Sequence, residues 1–377
     1  MHPLLAFKLP PAALTLGSWP AARWRFGTRT MARIALAPLT QWITAAAMQH
    51  ADDLPAALAA RLDISRRRAH GLMRKLVAMQ WLQASGTARR PRYGPGALRQ
   101  VVQRYGLAGL QEDEPWRHDF APFFTLRPEV QRMAQHAFTE LLNNAIDHSG
   151  GQQVTVSMRQ TPLQVQLLVS DDGCGLFERI AQSFAIAEPQ LAMLELSKGK
   201  LTSAPERHSG HGLFFSSRLA DVFDIHANEA AFQCRSWEQR SWRAGRPAAR
   251  QGTSIYLAIQ LDTPRTLDVV LRAHSLQGGY DFDRTEVPLH LLGGEARYLA
   301  SRADARRVAA RLAGFRRAEL SFEGVDDIGH GFADELFRVF QRDNPGLLLV
   351  PVGMNRGVQA MVASVGPTMA ADANLMA

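Results

Sequence analysis

Apolar and polar positions follow a helical pattern near the N-terminus. Leu54 to Leu62 has apolar residues at helical spacing. Asp63-Ile64-Ser65 then supplies a turn and an N-cap for a second helix from about Arg66 to Gln80. After Trp81-Leu82 comes a Gly-containing loop rich in Arg. The pattern predicts two helices joined by a tight turn and followed by a basic hairpin.

The middle of the chain, from about Glu129 to Leu261, changes to a mixture of helices and strands. A helical pattern continues to His148, and another begins near Gly212. Alternating or β-branched runs predict strands at Gln153–Met158, Leu163–Ser170, Val222–Ile225, Ala231–Ser236 and Thr253–Ile259. Residues 105–127, ahead of this stretch, have no clear period and predict a linker that packs onto it.

From about Asp262, strands and helices alternate, which is typical of a small α/β domain. Strands are predicted near Glu286–Leu292, Ala318–Phe322 and Leu347–Val352, and helices at Ser301–Gly314, at Phe332–Gln341 and up to about Val365. We therefore expect a multidomain α+β chain. Its parts are a loose extension (1–30), a helix-turn-helix domain (31–104), a linker (105–124), a central domain (125–262), an α/β domain (263–370) and a tail (371–377).

Composition narrows the class of protein. The chain has 377 residues and a hydrophobic content of 46%, enough for two or three packed domains. It contains no apolar run long enough to span a membrane. Pro10 and Pro11 interrupt the first apolar stretch, which argues against a signal peptide. Its two cysteines fit neither a disulfide framework nor a zinc site, so we expect a cytoplasmic protein.

Positive charge is concentrated near the N-terminus. The chain carries a net charge of +8, whereas residues 31–110 hold twelve Arg or Lys against three Asp, a net +9. A helix-turn-helix with a basic hairpin is the plan of a winged helix, which binds DNA through its second helix and its wing. The candidate DNA contacts are Arg66, Arg67, Arg68, Arg74, Arg89, Arg90 and Arg92. The alternative is a small interaction domain with a solvated Arg face.

The stretch HAFTELLNNAIDHSGG places Glu140 and Asn144 on one helical face, because four residues make just over one turn. Carboxylate and amide oxygens are ligands suited to Mg²⁺, and a carboxylate can also activate water. A capped surface helix would display the same two residues, so this stretch by itself leaves both interpretations open.

Three further motifs follow in order. VSDDGCGLF contains Asp171, Gly173 and Gly175 at the end of a predicted strand, where a carboxylate can accept from an exocyclic amine and glycines allow close approach. In SGHGLFF, Gly210 and Gly212 open a helix, whose N–H groups favour phosphate. A hydroxyl, that of Thr253, then follows Gly252 at a tight turn. Each motif alone is weak evidence.

Together, ELLNNA, DDGCG, GHGL and GTS resemble the GHKL, or Bergerat-fold, nucleotide-binding domain of gyrase, heat-shock chaperones, histidine kinases and anti-sigma-factor kinases. The resemblance covers residues 125–262 and implies ATP binding with Mg²⁺. It implies that Glu140 is the general base, that Asn144 holds the metal and that Asp171 recognises adenine. The other nucleotide contacts that it implies are Gly173, Gly175, Gly210, Gly212, Leu213 and Thr253, with Asp147 and His148 in less defined roles.

The same resemblance implies a mobile lid from about Phe177 to Ser209. Two of the four lysines in the chain, Lys198 and Lys200, lie in it and are candidates for phosphate contacts, although ordinary solvated lysines would fit equally well. Cys174 stands where gyrase-like members have an Arg. A histidine kinase is disfavoured, because a winged helix and linker precede the domain and His136 lies on its own helix.

Residues 284–365 resemble the STAS-like domains found after helix-turn-helix and GHKL domains. STAS antagonists carry a phosphorylatable Ser where this chain has Gly329, His330 and Gly331. We therefore expect a Mg-ATP-binding regulator that contacts DNA, and a partner protein through the STAS-like domain; it could act as a homodimer. The alternative is a protein serine/threonine kinase that acts on a separate partner.

Overall fold

A computed structural model of the chain describes residues 35–87, 90–202, 210–238, 242–293 and 297–365. The described part begins with α1 (Leu36–Thr40), α2 (Ile43–Gln49), α3 (Leu54–Leu62), α4 (Arg66–Ala78) and a hairpin of β1 (Leu82–Thr87) and β2 (Arg90–Pro95). The predicted extension 1–30 and tail 371–377 lie outside the described residues.

The turn between α3 and α4 forms as the sequence predicts. Asp63 ends α3 in the left-handed conformation with φ of 50°, and the Ser65 hydroxyl accepts the backbone N–H of Arg68 at 3.3 Å. This N-cap satisfies one of the donors that a helix start leaves unpaired. Leu72 and Leu76 of α4 are buried, and the N–H of Tyr93 in the hairpin donates to the carbonyl of Ala51 at 3.0 Å.

The chain then enters a seven-stranded antiparallel sheet of order β3-β4-β5-β9-β6-β7-β8. The strands are β3 (Arg99–Gly106), β4 (Gln153–Gln160), β5 (Gln164–Asp171), β6 (Val222–Ala227), β7 (Ala230–Arg235), β8 (Trp242–Ala244) and β9 (Thr253–Gln260). Strand β3 pairs with β4 over its whole length. The predicted boundary between residues 104 and 105 is therefore wrong, because it cuts a strand of the central sheet.

The predicted linker 105–124 packs against this central domain. It forms α5 (Asp113–Pro115), a π-helix (Trp116–Phe120) and a 3-10 turn (Ala121–Phe123). The rings of Trp116 and Phe120 lie with centroids 5.3 and 5.1 Å from that of Phe138. Aromatic burial of this kind anchors the segment to the helix that follows.

Four helices complete the central domain: α6 (Pro128–His148), α7 (Leu176–Phe184), α8 (Pro189–Lys198) and α9 (Gly212–Leu219). Within the predicted lid 177–209, α7 and α8 make residues 177–184 and 189–198 helical. Ala192, Met193 and Leu194 of α8 are buried. Their burial requires a packing partner, which the third domain provides.

That third domain carries a parallel sheet of order β10-β12-β14. Its strands are β10 (Arg284–Pro288), β11 (Tyr298–Leu299), β12 (Arg317–Ser321), β13 (Asp327–Ile328) and β14 (Leu348–Val352); its helices are α10 (Leu267–Arg272), α11 (His290–Gly293), α12 (Arg302–Ala309), α13 (His330–Ala333), α14 (Gln341–Asp343) and α15 (Arg356–Val365). A π-helix, Asp334–Phe340, joins α13 to α14.

One hydrophobic cluster runs from Val101 to Val362, so the central and third domains share a continuous core. The mixed α+β class predicted from the sequence is confirmed. Among the helices that the structure describes, none is long and apolar enough to cross a membrane.

Candidate nucleotide site

Helix α6 brings the first and third motifs into contact. Glu140 and Asn144 lie one turn apart on it and are both half-buried. A Cβ at position 212 would overlap the carboxylate of Glu140, so a side chain there would have to displace that carboxylate. The carboxylate therefore packs directly on the start of helix α9, where backbone N–H groups favour a phosphate.

Asp171 ends strand β5 and is only 5% exposed. Its Oδ1 accepts the backbone N–H groups of Gly173 at 2.9 Å and Thr253 at 3.1 Å. Burial raises the pKa of this carboxyl above its ordinary value, and the two hydrogen bonds partly offset that effect. Because both donors use the same oxygen, Oδ2 is the atom that can accept from a ligand.

Close backbone packing positions Asp171. A Cβ on Gly173 would overlap the carbonyl oxygen of Ser149, and one on Gly252 would overlap that of Asp171. Asn228, in the turn between β6 and β7, holds the two loops together. Its Nδ2 donates to the Cys174 carbonyl at 2.8 Å, and its Oδ1 accepts the Gly252 N–H at 2.9 Å.

These motifs surround one cavity of about 320 Å³. The predicted residues that line it are Glu140, Asn144, His148, Asp171, Gly175, Gly210, Gly212, Leu213 and Thr253. Asp147, which is exposed on α6, and Gly173, whose N–H binds Asp171, are not among the lining residues. The tertiary structure therefore brings most of the predicted nucleotide contacts together.

The cavity has two ends, which helix α6 connects. Glu140 lies at the end marked by Gly212, and Ser149 lies at the end marked by Gly173 and Asp171. These two helix positions are nine residues apart, or about 13 Å at 1.5 Å per residue. An extended nucleoside triphosphate has a similar length, so one end can take the base while the other takes the terminal phosphate.

The two predicted lysines are placed elsewhere. Lys198 is 1% exposed, and its Nζ donates to Glu195 at 2.6 Å and to the carbonyl of Ala310 at 2.8 Å. The Nζ of Lys200 donates to the carbonyl of Gly314 at 2.6 Å. Both ammonium groups thus bind the third domain, which corrects their assignment as phosphate contacts.

His211, between the two glycines of GHG, also faces the third domain. Its ring centroid lies 4.6 Å from that of Phe282 and 6.0 Å from that of Phe215. Burial, together with the charge of Lys200, lowers the pKa of His211 to about 4. The imidazole is therefore neutral at pH 7 and acts as a packing group.

Arg179 and Asn228 are site residues that the sequence did not identify. Arg179 lines the cavity, and its Nε donates to the carbonyl of His148 at 2.7 Å. Neither residue belongs to a recognised motif. The one local signal was the Gly150-Gly151 pair after α6, since a Cβ on Gly150 would lie 2.7 Å from Nη2 of Arg179.

The donor set fits Mg²⁺ that arrives with a nucleotide. Among the described residues, no group of three or more His, Cys, Asp and Glu side chains could hold a metal ion. Mg²⁺ is commonly bound by one or two protein oxygens together with substrate phosphates and water. Asn144, beside Glu140 on the cavity wall, supplies an oxygen of the required kind.

The candidate DNA contacts are exposed on α4 and the hairpin, namely Arg66, Arg67, Arg68, Arg74, Arg90 and Arg92. Arg92 is paired with Asp52 at 2.6 and 3.1 Å. Arg89 lies outside the described residues. His330, the first residue of α13, is exposed.

Comparison with known families gives two matches. Residues 129–263 match the family described as histidine kinase-, DNA gyrase B-, and HSP90-like ATPase. Residues 304–359 match the STAS-like domain of unknown function (DUF4325). None of the curated proteins compared with the chain matches it. These matches support an ATP-binding regulatory protein of the GHKL type. The chain therefore contains a histidine kinase-, DNA gyrase B-, and HSP90-like ATPase domain followed by a STAS-like domain.

Proposed function

We propose that the chain binds Mg-ATP in this cavity and hydrolyses it to regulate its STAS-like and N-terminal domains. The observation that supports ATP turnover is the contact of Glu140 with Gly212, at the opposite end of the cavity from Asp171. With the adenine amine on Oδ2 of Asp171, the terminal phosphate reaches the carboxylate that can act as a base.

In this reaction Glu140 accepts a proton from a water molecule as the water oxygen attacks the γ-phosphorus. The bond between the γ-phosphorus and its bridging oxygen breaks, and ADP and phosphate leave. The N–H groups at the start of α9 stabilise the charge on the transferred phosphoryl group. Asn144 would hold Mg²⁺, which would supply charge neutralisation to the phosphates.

Regulation is supported by the alternation, along the chain, of residues that line the cavity with residues that contact the third domain. Leu196 and Leu201 line the cavity, while Lys198 and Lys200 between them bind the third domain. The same holds after the lid, where Gly210 and Gly212 line the cavity and His211 contacts Phe282. A nucleotide that moves either segment therefore also moves groups bonded to the STAS-like domain.

Further bonds between the central and third domains connect α8 to the end of α12. Glu195 accepts from Lys198 and, through its other oxygen, from Arg311 at 3.2 Å. The hydroxyl of Thr285 donates to the carbonyl of Lys198 at 2.8 Å. Discrete buried bonds of this kind favour two alternative packings over gradual deformation.

The N-terminal domain is the proposed DNA-binding element. Exposed arginines on α4 can contact backbone phosphates, which supply much of the affinity of DNA-binding proteins. Strand β3 joins this domain to the ATPase sheet, and Arg159 of that sheet lies 5.5 Å from the ring of Trp81. These contacts offer a route by which the ATP state could affect DNA binding.

The proposed function is tested by following ATP labelled at the γ-phosphate. Purified protein with Mg²⁺ and a cell lysate should release the label as inorganic phosphate. Label on a lysate protein would instead support the kinase alternative. Asn144→Ala should weaken binding of Mg-ATP in equilibrium dialysis, and unchanged binding would contradict the role of Asn144.

Coupling is tested separately by hydrogen exchange in a Glu140→Gln background, which should retain ATP. Mg-ATP should change the exchange of amides in residues 302–314, because Lys198 and Lys200 of the lid donate to the carbonyls of Ala310 and Gly314. An exchange pattern that changes only within residues 129–202 would contradict coupling to the STAS-like domain.

A further inference from the structure

Arg179 occupies a defined place at the end of helix α6. Its Nε donates to the carbonyl of His148, the last residue of that helix, at 2.7 Å. Gly150 has a φ of 66° and no side chain, which leaves room for the guanidinium group. The bond to His148 uses one of the five guanidinium N–H donors, so others remain to contact a ligand.

The cavity needs positive charge to hold a polyanion. Its wall carries the carboxylates of Glu140 and Asp171 and the C-terminal end of α6, where helix carbonyls add partial negative charge. Among the residues that the structure describes, Arg179 is the one Lys or Arg side chain on that wall. The lysines predicted for this task bind the third domain instead.

Position along the cavity indicates which phosphate Arg179 reaches. His148 and Ser149 lie at the end where Gly173 and Asp171 would hold the adenine. Glu140, at the γ-phosphate end, is about 13 Å away along the helix. Arg179 is therefore nearer to the ribose and the first phosphate than to the last.

We propose that Arg179 binds the α-phosphate of the nucleotide through charge-assisted hydrogen bonds. The proposal rests on the proposed function, because it requires a nucleotide in this cavity. Arginine suits the task because its guanidinium is always charged and its planar fork matches phosphate oxygens.

The test measures affinities for adenosine, ADP and ATP by competition against a fluorescent ATP analogue, with the full-length protein. Arg179→Gln should lower the affinities for ADP and ATP by a similar factor, roughly ten- to hundredfold, as expected for loss of a hydrogen bond to a charged group. Its affinity for adenosine should change by less than about twofold. Arg179→Lys should show intermediate losses, because it keeps the charge but not the fork.

Arg132→Gln is the control, since Arg132 is an exposed arginine near the start of α6 that does not line the cavity. It should leave all three affinities unchanged. The thermal unfolding midpoint of Arg179→Gln without nucleotide measures the stability lost with the bond to His148. That loss is thereby separated from the loss of nucleotide affinity. Equal loss for adenosine, loss for ATP but not ADP, or no loss would each overturn the proposal. If the wild-type protein binds no nucleotide, the proposed function itself fails.

Discussion

Helices α6 and α8 both carry charged side chains next to the cavity, yet only α6 directs them into it. Glu140 lines the cavity, and Asn144 lies one turn further on. On α8, Glu195 and Lys198 are both 2% or less exposed and bind each other and the third domain. The comparison shows that a charge near a binding motif belongs to the ligand only where no neighbouring domain covers it.

The largest expected effect is on the α6 side of this comparison. Glu140→Gln should lower ATP turnover by about 10²- to 10⁴-fold, as expected for loss of a general base. Its affinity for ATP should change little, because the amide keeps the shape and the contact with Gly212. Asp147→Asn, on the same helix but outside the cavity, should leave turnover unchanged. Equal turnover in wild type and Glu140→Gln would remove the base from the mechanism.

On the α8 side, the expected effect is on stability. Lys198→Met should lower the free energy of unfolding by about 3 kcal/mol, because it removes a partner of buried Glu195 and a donor to the end of α12. Lys200→Met should cost only about 1 kcal/mol, since its site is half-buried and it loses one hydrogen bond. Chemical denaturation measures both. Comparable losses, or a larger loss for Lys200→Met, would contradict this ranking of the two lysines.

Asp171 predicts a pH dependence of ATP affinity. Burial raises its pKa, so this carboxyl takes up a proton at a higher pH than an exposed Asp would. The protonated group can no longer accept from adenine through an ionised Oδ2. Affinity for ATP should therefore be full at neutral pH and fall on acidification, through the raised pKa.

The matched variant is Asp171→Asn, which imitates the protonated group at every pH. At neutral pH its ATP affinity should be lower than that of the wild type by roughly tenfold or more, because a charge-assisted hydrogen bond is lost. Isothermal titration across pH should give a flatter profile than for wild type. A profile as steep as the wild-type one would assign the pH dependence to another group.

Asn228 predicts a smaller effect at the adenine end. Asn228→Gly removes the amide that joins the Cys174 and Gly252 loops but keeps the turn, because glycine accepts the φ of 49° found there. ATP affinity should fall by about threefold to tenfold for two lost hydrogen bonds at a half-exposed site, with turnover at saturating ATP unchanged. Glu229→Ala, in the same turn, is the control. A loss of turnover without a loss of affinity would contradict this positioning role.

The smallest expected effect separates two arginines of the N-terminal domain. Arg67→Gln should reduce the salt dependence of DNA binding by about one unit of slope if Arg67 contacts a phosphate. Arg92→Gln should change it less, since Arg92 is already paired with Asp52. Binding to a DNA duplex measured at several salt concentrations distinguishes them. No salt-dependent binding by the wild-type protein would favour the interaction-domain alternative.

Local sequence determined the elements and the central residues of the site. The Ser65 N-cap and the four-residue spacing of Glu140 and Asn144 depend on contacts within one helix or turn, which sequence displays directly. Asp171 is similar, because the residues that follow it form the tight turn whose N–H binds its carboxylate. Four motifs in a fixed order then identified the ATPase domain, and the family match confirms that prediction.

Tertiary structure alone decided where the remaining groups point. Lys198 is bonded to residues more than a hundred positions away, and β3 joins a sheet whose next strand begins at Gln153. Arg179 and Asn228 likewise act on loops distant in sequence. Such contacts form because buried polar groups must find partners wherever packing brings them. The sequence therefore determined the chemistry of the nucleotide pocket, and the packing of the third domain determined which nearby charges that pocket could use.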